Sequence, residues 1–310
     1  ASVDRAFPPA LVERYPDEVA NHQLRQEIVA TQLANDLVDR VGFSFFFRQM
    51  ESTGASAGDV IRAYSIAMSI LGLHELWQNI EESDLPAAVQ LDLLHILIRL
   101  TRRSTRWLLR NRRHNLNCSE IIGQFTAPIH RVLQELPDLH EVEWIKLWSA
   151  EKIGFSEQGV EDQLASQLAA SDSMFISLGV VDTALKLDQP VQQVARLYFK
   201  LGELLSLDWF MAQIVALHPD NRWQDLARES YVDDLEGQRR RLTANLMGDS
   251  QGDDLDVLIE GWQQQQAALI ERWKFMIKDL RHGPTPDFAM ISVALRELLD
   301  LVQASIDDRG

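Results

Sequence analysis

Scarcity narrows this chain before any motif does. A single cysteine, Cys118, excludes an internal disulfide framework and suits a reducing compartment, which points to the cytoplasm. Glycine is sparse, at 15 of 310 residues, and no two glycines lie closer than Gly54 and Gly58 or Gly248 and Gly252. No GxG occurs, and neither the dinucleotide fingerprint nor a Walker phosphate loop is found. Proline numbers only 10, and no alternating or β-branched stretch reads as a strand. No early apolar stretch resembles a signal peptide, and no run approaches the ~18 apolar residues of a membrane span. Positive charge is in deficit: a net charge of −16 favours solubility and disfavours general nucleic-acid binding. The chain opens at Ala1 without an initiator Met, which fits a processed or expressed fragment.

What is abundant is helical. Leu, Ala, Gln, Glu and Arg dominate at helical spacing almost throughout, with no fixed-period repeat and no low-complexity linker. The expected fold is all-α, a multi-helix bundle-like domain over 1–310 with no sheet, with room for two packed lobes meeting near 248–252. Within it, His22–Thr53 reads as a central helix. Ala30, Leu33, Ala34, Leu37, Val38, Val41 and Phe45 form one apolar line, and Leu24, Ile28, Gly42 and Phe46 form a second. A helix apolar over so much of its circumference should be packed on several sides, with its Phe43–Phe47 end buried and Asn35 a satisfied core amide.

Punctuation sets the other helices. Pro8-Pro9 opens one to Glu18, Ser56 with Asp59 caps Ala57–Leu71, and a short segment covers His74–Glu81. Pro86 begins a long helix to Arg113, and Asn117 or Ser119 caps another that breaks or kinks at Pro128. A helix from Val142 ends at Gly154, Ser156 caps Glu157–Ala170, and Ser173–Leu187 follows. Val191–Leu217 splits near Ser206, Asn221 caps a helix to Met247, Asp253–Arg281 is long, and Gly283-Pro284-Thr285-Pro286 turns into Asp287–Gln303.

The words EIVATQLANDLVDRVG and FRQMESTGASAGDVIRAY, and later TRWLLRN, resemble the C-terminal region of the large bacterial NAD-specific glutamate dehydrogenases. The likeness is most distinctive over His22–Tyr64 and Thr105–Asn111. It implies an all-helical region downstream of the catalytic core of an enzyme of amino-acid catabolism. The parent reaction would convert L-glutamate, NAD and water to 2-oxoglutarate, ammonium and NADH. The glycine-rich lysine pocket and nicotinamide domain of that chemistry are missing here, so no catalytic, cofactor-binding or metal residue carries over. NAD would belong to the parent enzyme and not to this segment. Implied partners are other domains of the same chain and the subunits of a homo-oligomer, with neither nucleic acid nor membrane.

Most candidate constellations dissolve on inspection. His74-Glu75 and His140-Glu141 start like HExxH, but Gln78 and Trp144 stand where the second histidine is needed. Asp233-Asp234 and Asp253-Asp254-Leu255-Asp256 lack further carboxylates at magnesium-motif spacing and read as helix-start acids. Cys118 lacks a basic activating pair, and Gly154-Phe155-Ser156 lacks the strand of a nucleophile elbow. Trp144 and Trp148 read as core packing.

One constellation survives. Arg99, Arg102, Arg103, Arg106, Arg110 and Arg113 fall on one helical face, opposite Leu93, Leu94, Leu97, Leu100, Thr101 and Leu108, with Trp107 beside them. Seven arginines against the single acid Asp92 give Leu85–Arg113 a charge of +6, leaving −22 elsewhere. Such a stripe serves as a solvated face, as an internal dock onto acidic helices, or as a contact surface for another domain or subunit. Two functions follow: a non-catalytic domain supporting the dehydrogenase core or its assembly, or a stand-alone helical adaptor that takes an acidic partner.

Overall fold

The computed structural model describes residues 3–112, 116–139, 142–248 and 254–307. Among them the chain is all-α, with no strand. After a 3-10 turn at Val3–Ala6 come α1 (Pro9–Arg14), α2 (Pro16–Ala20), α3 (Arg25–Val41), α4 (Phe43–Thr53), α5 (Ala57–Ile70), α6 (Leu73–Glu81) and α7 (Ala87–Asn111). Next are α8 (Cys118–Gln134), α9 (Leu136–Leu139), α10 (Val142–Glu157), α11 (Asp162–Ala169) and α12 (Ser171–Leu187). The last six are α13 (Val191–Leu204), α14 (Leu207–Val215), α15 (Arg222–Gly248), α16 (Leu255–Gln265), α17 (Ala267–His282) and α18 (Phe288–Asp307).

The chain divides into two compact units, Ala1–Thr126 with Lys152–Phe175, and Ala127–Glu151 with Ile176–Gly310. These limits fall inside α8, α10 and α12, whereas 249–252, in the expected lobe boundary, lie outside the described residues.

In the first unit the core belongs to α5 and α7. Val60, Ala63, Tyr64, Ile66, Ala67, Met68 and Ile70 of α5 are all buried. They meet the apolar face of α7, where Leu93, Leu97, Leu100, Thr101 and Leu108 are buried as the spacing predicts. Leu94 is half-buried. Thr101 satisfies its hydroxyl on the Leu97 carbonyl at 2.7 Å, so a small polar side chain fits the seam without an unmet donor.

The expected central helix is corrected on three counts. It is two helices, because Gly42 adopts φ +83, a conformation that L side chains rarely adopt, and the chain turns there. It is peripheral, since Leu37 and Val41 are the only buried residues of α3. Phe43, Phe47 and Asn35 are exposed while Phe45 is buried, so the aromatic run is covered along one edge only and the amide is not a core group. Apolar width along a helix reports how much of it could be covered, not what is present to cover it.

Other boundaries moved for local reasons. Tyr15 precedes Pro16, which disfavours helical geometry there and divides Pro8–Glu18 in two. Helix α8 runs through Pro128 without breaking. Ser156 is not a cap: its hydroxyl donates back to the Lys152 carbonyl inside α10, and Glu161 caps α11 by accepting from the Leu164 amide. Asp253–Arg281 is interrupted at Gln266. The caps at Ser56, Asn117 and Asn221 and the split at Ser206 (φ 54) stand where they were expected.

The second unit is built around α15, which packs against α18, α13 and α14. Leu235, Leu242 and Leu246 of α15 are buried, as are Ile291, Leu298 and Leu301 of α18. Trp273 of α17 is fully buried, edge-on to Phe210 at 5.5 Å, and its indole N–H donates to the Leu205 carbonyl at 2.8 Å.

Candidate functional site

Among the described residues the arginine face of α7 presents a surface, and its members have different environments. Arg102 donates from Nη2 to the Val41 carbonyl at 2.6 Å and lies 5.7 Å from the centre of the Phe45 ring. Val41 is the last residue of α3, so Arg102 satisfies one of the carbonyls left orphaned at a helix C-terminus. Partial burial, and then the like charge of Arg48, hold its guanidinium below the usual arginine pKa. Arg103 pairs with Asp172 at 2.6 Å and lies 4.1 Å over the Phe175 ring. Arg106 donates to the Ser52 hydroxyl at 3.2 Å. Arg99 and Arg110 are exposed, and Arg113 lies outside the described residues.

The face therefore docks internally in part. Their partners include a helix-end carbonyl for Arg102, the Asp172 carboxylate for Arg103 and a hydroxyl for Arg106, with aromatic rings beside Arg102 and Arg103. Arg112, one residue past α7, stacks 5.1 Å over Phe125 in the same way. Guanidinium planes stack on aromatic rings and donate to carbonyls without needing acids. The exposed rim of this face is formed by Arg99, Arg102 and Arg110.

The remaining motifs occupy ordinary environments. His74 is half-buried, and burial followed by the Arg40 charge lowers its pKa. Burial raises that of Cys118, the opposite of an activated thiolate. Trp144 and Trp148 are half-buried and stack in parallel with centroids 5.9 Å apart. Among the described residues no three His, Cys, Asp or Glu side chains are placed to hold a metal ion. His140, Glu141 and Asp253 lie outside them.

Sequence reading missed a buried polar network in the second unit. Arg239 of α15 is buried, pairs with Asp208 at 2.6 Å, donates to the Tyr198 carbonyl and lies 4.2 Å over the Tyr198 ring. The Tyr198 hydroxyl donates to buried Glu236 at 2.9 Å. Its pKa is well above the ordinary phenol value, first from burial and then from the Glu236 charge. Nothing in the run Arg239-Arg240-Arg241 marks the first as the buried member; the partners come from α13 and α14.

A chain with one basic helical face, no phosphate loop and an all-α core invites comparison over its whole length. The model of the family described as glutamate dehydrogenase, C-terminal, matches residues 1–300. The chain belongs to this family. Relatives of the glutamate dehydrogenase C-terminal family include the NAD-specific glutamate dehydrogenase of Pseudomonas aeruginosa, 37% identical over 306 residues and 98% of this chain. The NAD-specific glutamate dehydrogenase of Halomonas elongata is 36% identical over 306 residues, again 98% of the chain. That of Mycobacterium tuberculosis is 31% identical over 307 residues, 97% of the chain. In all three the match takes up 19% of the relative's length, so the chain spans about a fifth of the relatives it matches.

Proposed function

We propose that this chain serves as the non-catalytic C-terminal helical domain of a large NAD-specific glutamate dehydrogenase, where it supports the catalytic core or the assembly of subunits. The reaction of the whole enzyme would be oxidation of L-glutamate by NAD, with water, to 2-oxoglutarate, ammonium and NADH. One observation carries the reading: nearly all of the chain aligns with enzymes of that name, yet the alignment takes up only 19% of their length. The rest of such a polypeptide has ample room for the nicotinamide and glutamate sites. The sequence supports this division of labour, because its glycines are never close enough for a dinucleotide turn. The partners are the other domains of the same polypeptide and the subunits of a homo-oligomer, working in the cytoplasm.

The test compares the full-length polypeptide with one lacking these 310 residues. Removal should abolish NAD-dependent glutamate oxidation or reduce the assembly size seen by light scattering. The isolated chain should give no heat with NAD in calorimetry. A sub-millimolar NAD affinity for the isolated chain, or full activity and unchanged assembly without it, would overturn the proposal.

A further inference from the structure

The sequence of α3 and α4 asks for neighbours on several sides, and the first unit leaves part of that apolar surface uncovered. Two apolar lines along α3 call for broad coverage, yet only Leu37 and Val41 of that helix are buried. Leu24 is 56% exposed, Phe43 61% and Phe47 49%. Phe43 and Phe47 sit one turn apart on α4 with ring centroids 4.5 Å apart, a preformed aromatic pair pointing outward. Between the first half of α3 and the start of α5 runs a separate open groove of about 670 Å³, where Val29, Leu33 and Ile61 alternate with polar Gln23, Gln26 and Arg62. Exposed aromatic anchors are what binding-energy hot spots are made of.

We propose that the arm formed by α3 and α4 is the seat for the dehydrogenase portion of the same polypeptide, which lays an apolar helix face on Phe43 and Phe47. The inference rests on the reading above and adds the surface through which the domain meets the core. Length points to the occupant: the chain matches only 19% of its relatives, so about four-fifths of a polypeptide of that size is available to cover the arm. A second copy is the poorer candidate. It would bring another chain of net charge −16 against the first, whereas a covalently linked partner docks at high effective concentration.

The experiment uses the full-length polypeptide with photoreactive benzoylphenylalanine replacing Phe47, assayed for NAD-dependent glutamate oxidation before irradiation. The expected result is an intramolecular cross-link, at unchanged subunit mass, to residues preceding this domain. The variant Phe43→Ser with Phe47→Ser should release the domain to protease several-fold faster. Capture of the same arm in a second subunit, capture within this domain alone, or no protein capture would overturn the inference while leaving the proposed function standing, provided the preparation is active. A preparation without glutamate oxidation would sink the proposed function, and the inference with it.

Discussion

Arg239 lies across the backbone of Gly202 with no room for a β-carbon between them: an added Cβ would overlap Nη2 of the guanidinium. The close approach lets α13 and α15 meet with a charged side chain in the seam. Gly202 is thus a packing requirement and not a turn residue. Arg239 cannot swing aside cheaply, because Asp208 and the Tyr198 carbonyl hold it and it is only 3% exposed. Gly202→Ala should cost about 1–3 kcal/mol, as overpacking does. Gly237→Ala, in α15 with nothing within 4 Å of its missing Cβ, should be neutral or stabilising by up to about 1 kcal/mol through helix propensity. Denaturant midpoints of the two variants decide this, and equal shifts would refute it.

The peripheral α3 still has one buried edge. Leu37 is 1% exposed, so Leu37→Ala should destabilise by roughly 2–5 kcal/mol. Asp39, two residues on, is exposed, and Asp39→Ala should change stability by less than about 0.5 kcal/mol. Asn35→Ala should behave like Asp39→Ala, which separates the structure from a buried-amide reading. A loss above about 1 kcal/mol for Asn35→Ala would show that this amide is satisfied in a core after all.

How much of this was legible beforehand follows from which forces act locally. Ser56, Asn221 and the Ser206 split were readable because caps and turn conformations are decided within a few residues. The buried edge of α7 was readable because its period of apolar residues is regular and its opposite face is arginine. The break at Gly42 was not, since one glycine permits a positive φ without requiring it. The prominence of α5 over α3 was not either. Both are apolar, and only the tertiary neighbours settle which one lies inside. The Arg239 network joins residues up to 41 positions apart, beyond the reach of any local pattern.

Acid should weaken the first unit through His74. Burial, and then the Arg40 charge, disfavour its imidazolium, with Asp36 opposing less strongly. The folded-state pKa therefore lies below the unbound value of 6.5, and the unfolded chain takes up its proton first. This contribution to stability is complete above about pH 6.5 and is lost as pH falls through the lowered folded-state value. His74→Gln should flatten the pH dependence in that window without altering the curve above pH 7. A melting series from pH 5 to 8 checks the sign; identical profiles for the two proteins would refute it.

The arginine face gives the sharpest contrast, because neighbouring positions on one helix carry different loads. Arg103 combines an ion pair with a stack on Phe175. Its partner Asp172 is 82% exposed, so solvent screens the pair to about 0–1 kcal/mol, while a cation over a ring adds roughly 0.5–2 kcal/mol. Arg103→Glu removes both and should lower stability by about 1–2 kcal/mol. Arg99 is exposed, and Arg99→Glu should shift stability by less than about 0.5 kcal/mol. If the exposed rim contacts another subunit or domain, Arg99→Glu should instead weaken assembly or activity of the full-length polypeptide with no change in the chain's own melting. Arg103→Lys supplies the control, since it keeps the charge and loses the planar stack: a loss near that of Arg103→Glu would assign the stability to the Phe175 contact, and full rescue to the charge. Equal melting for Arg103→Glu and Arg99→Glu would show that the face is uniformly solvated, contrary to the packing of Arg103 between Asp172 and Phe175.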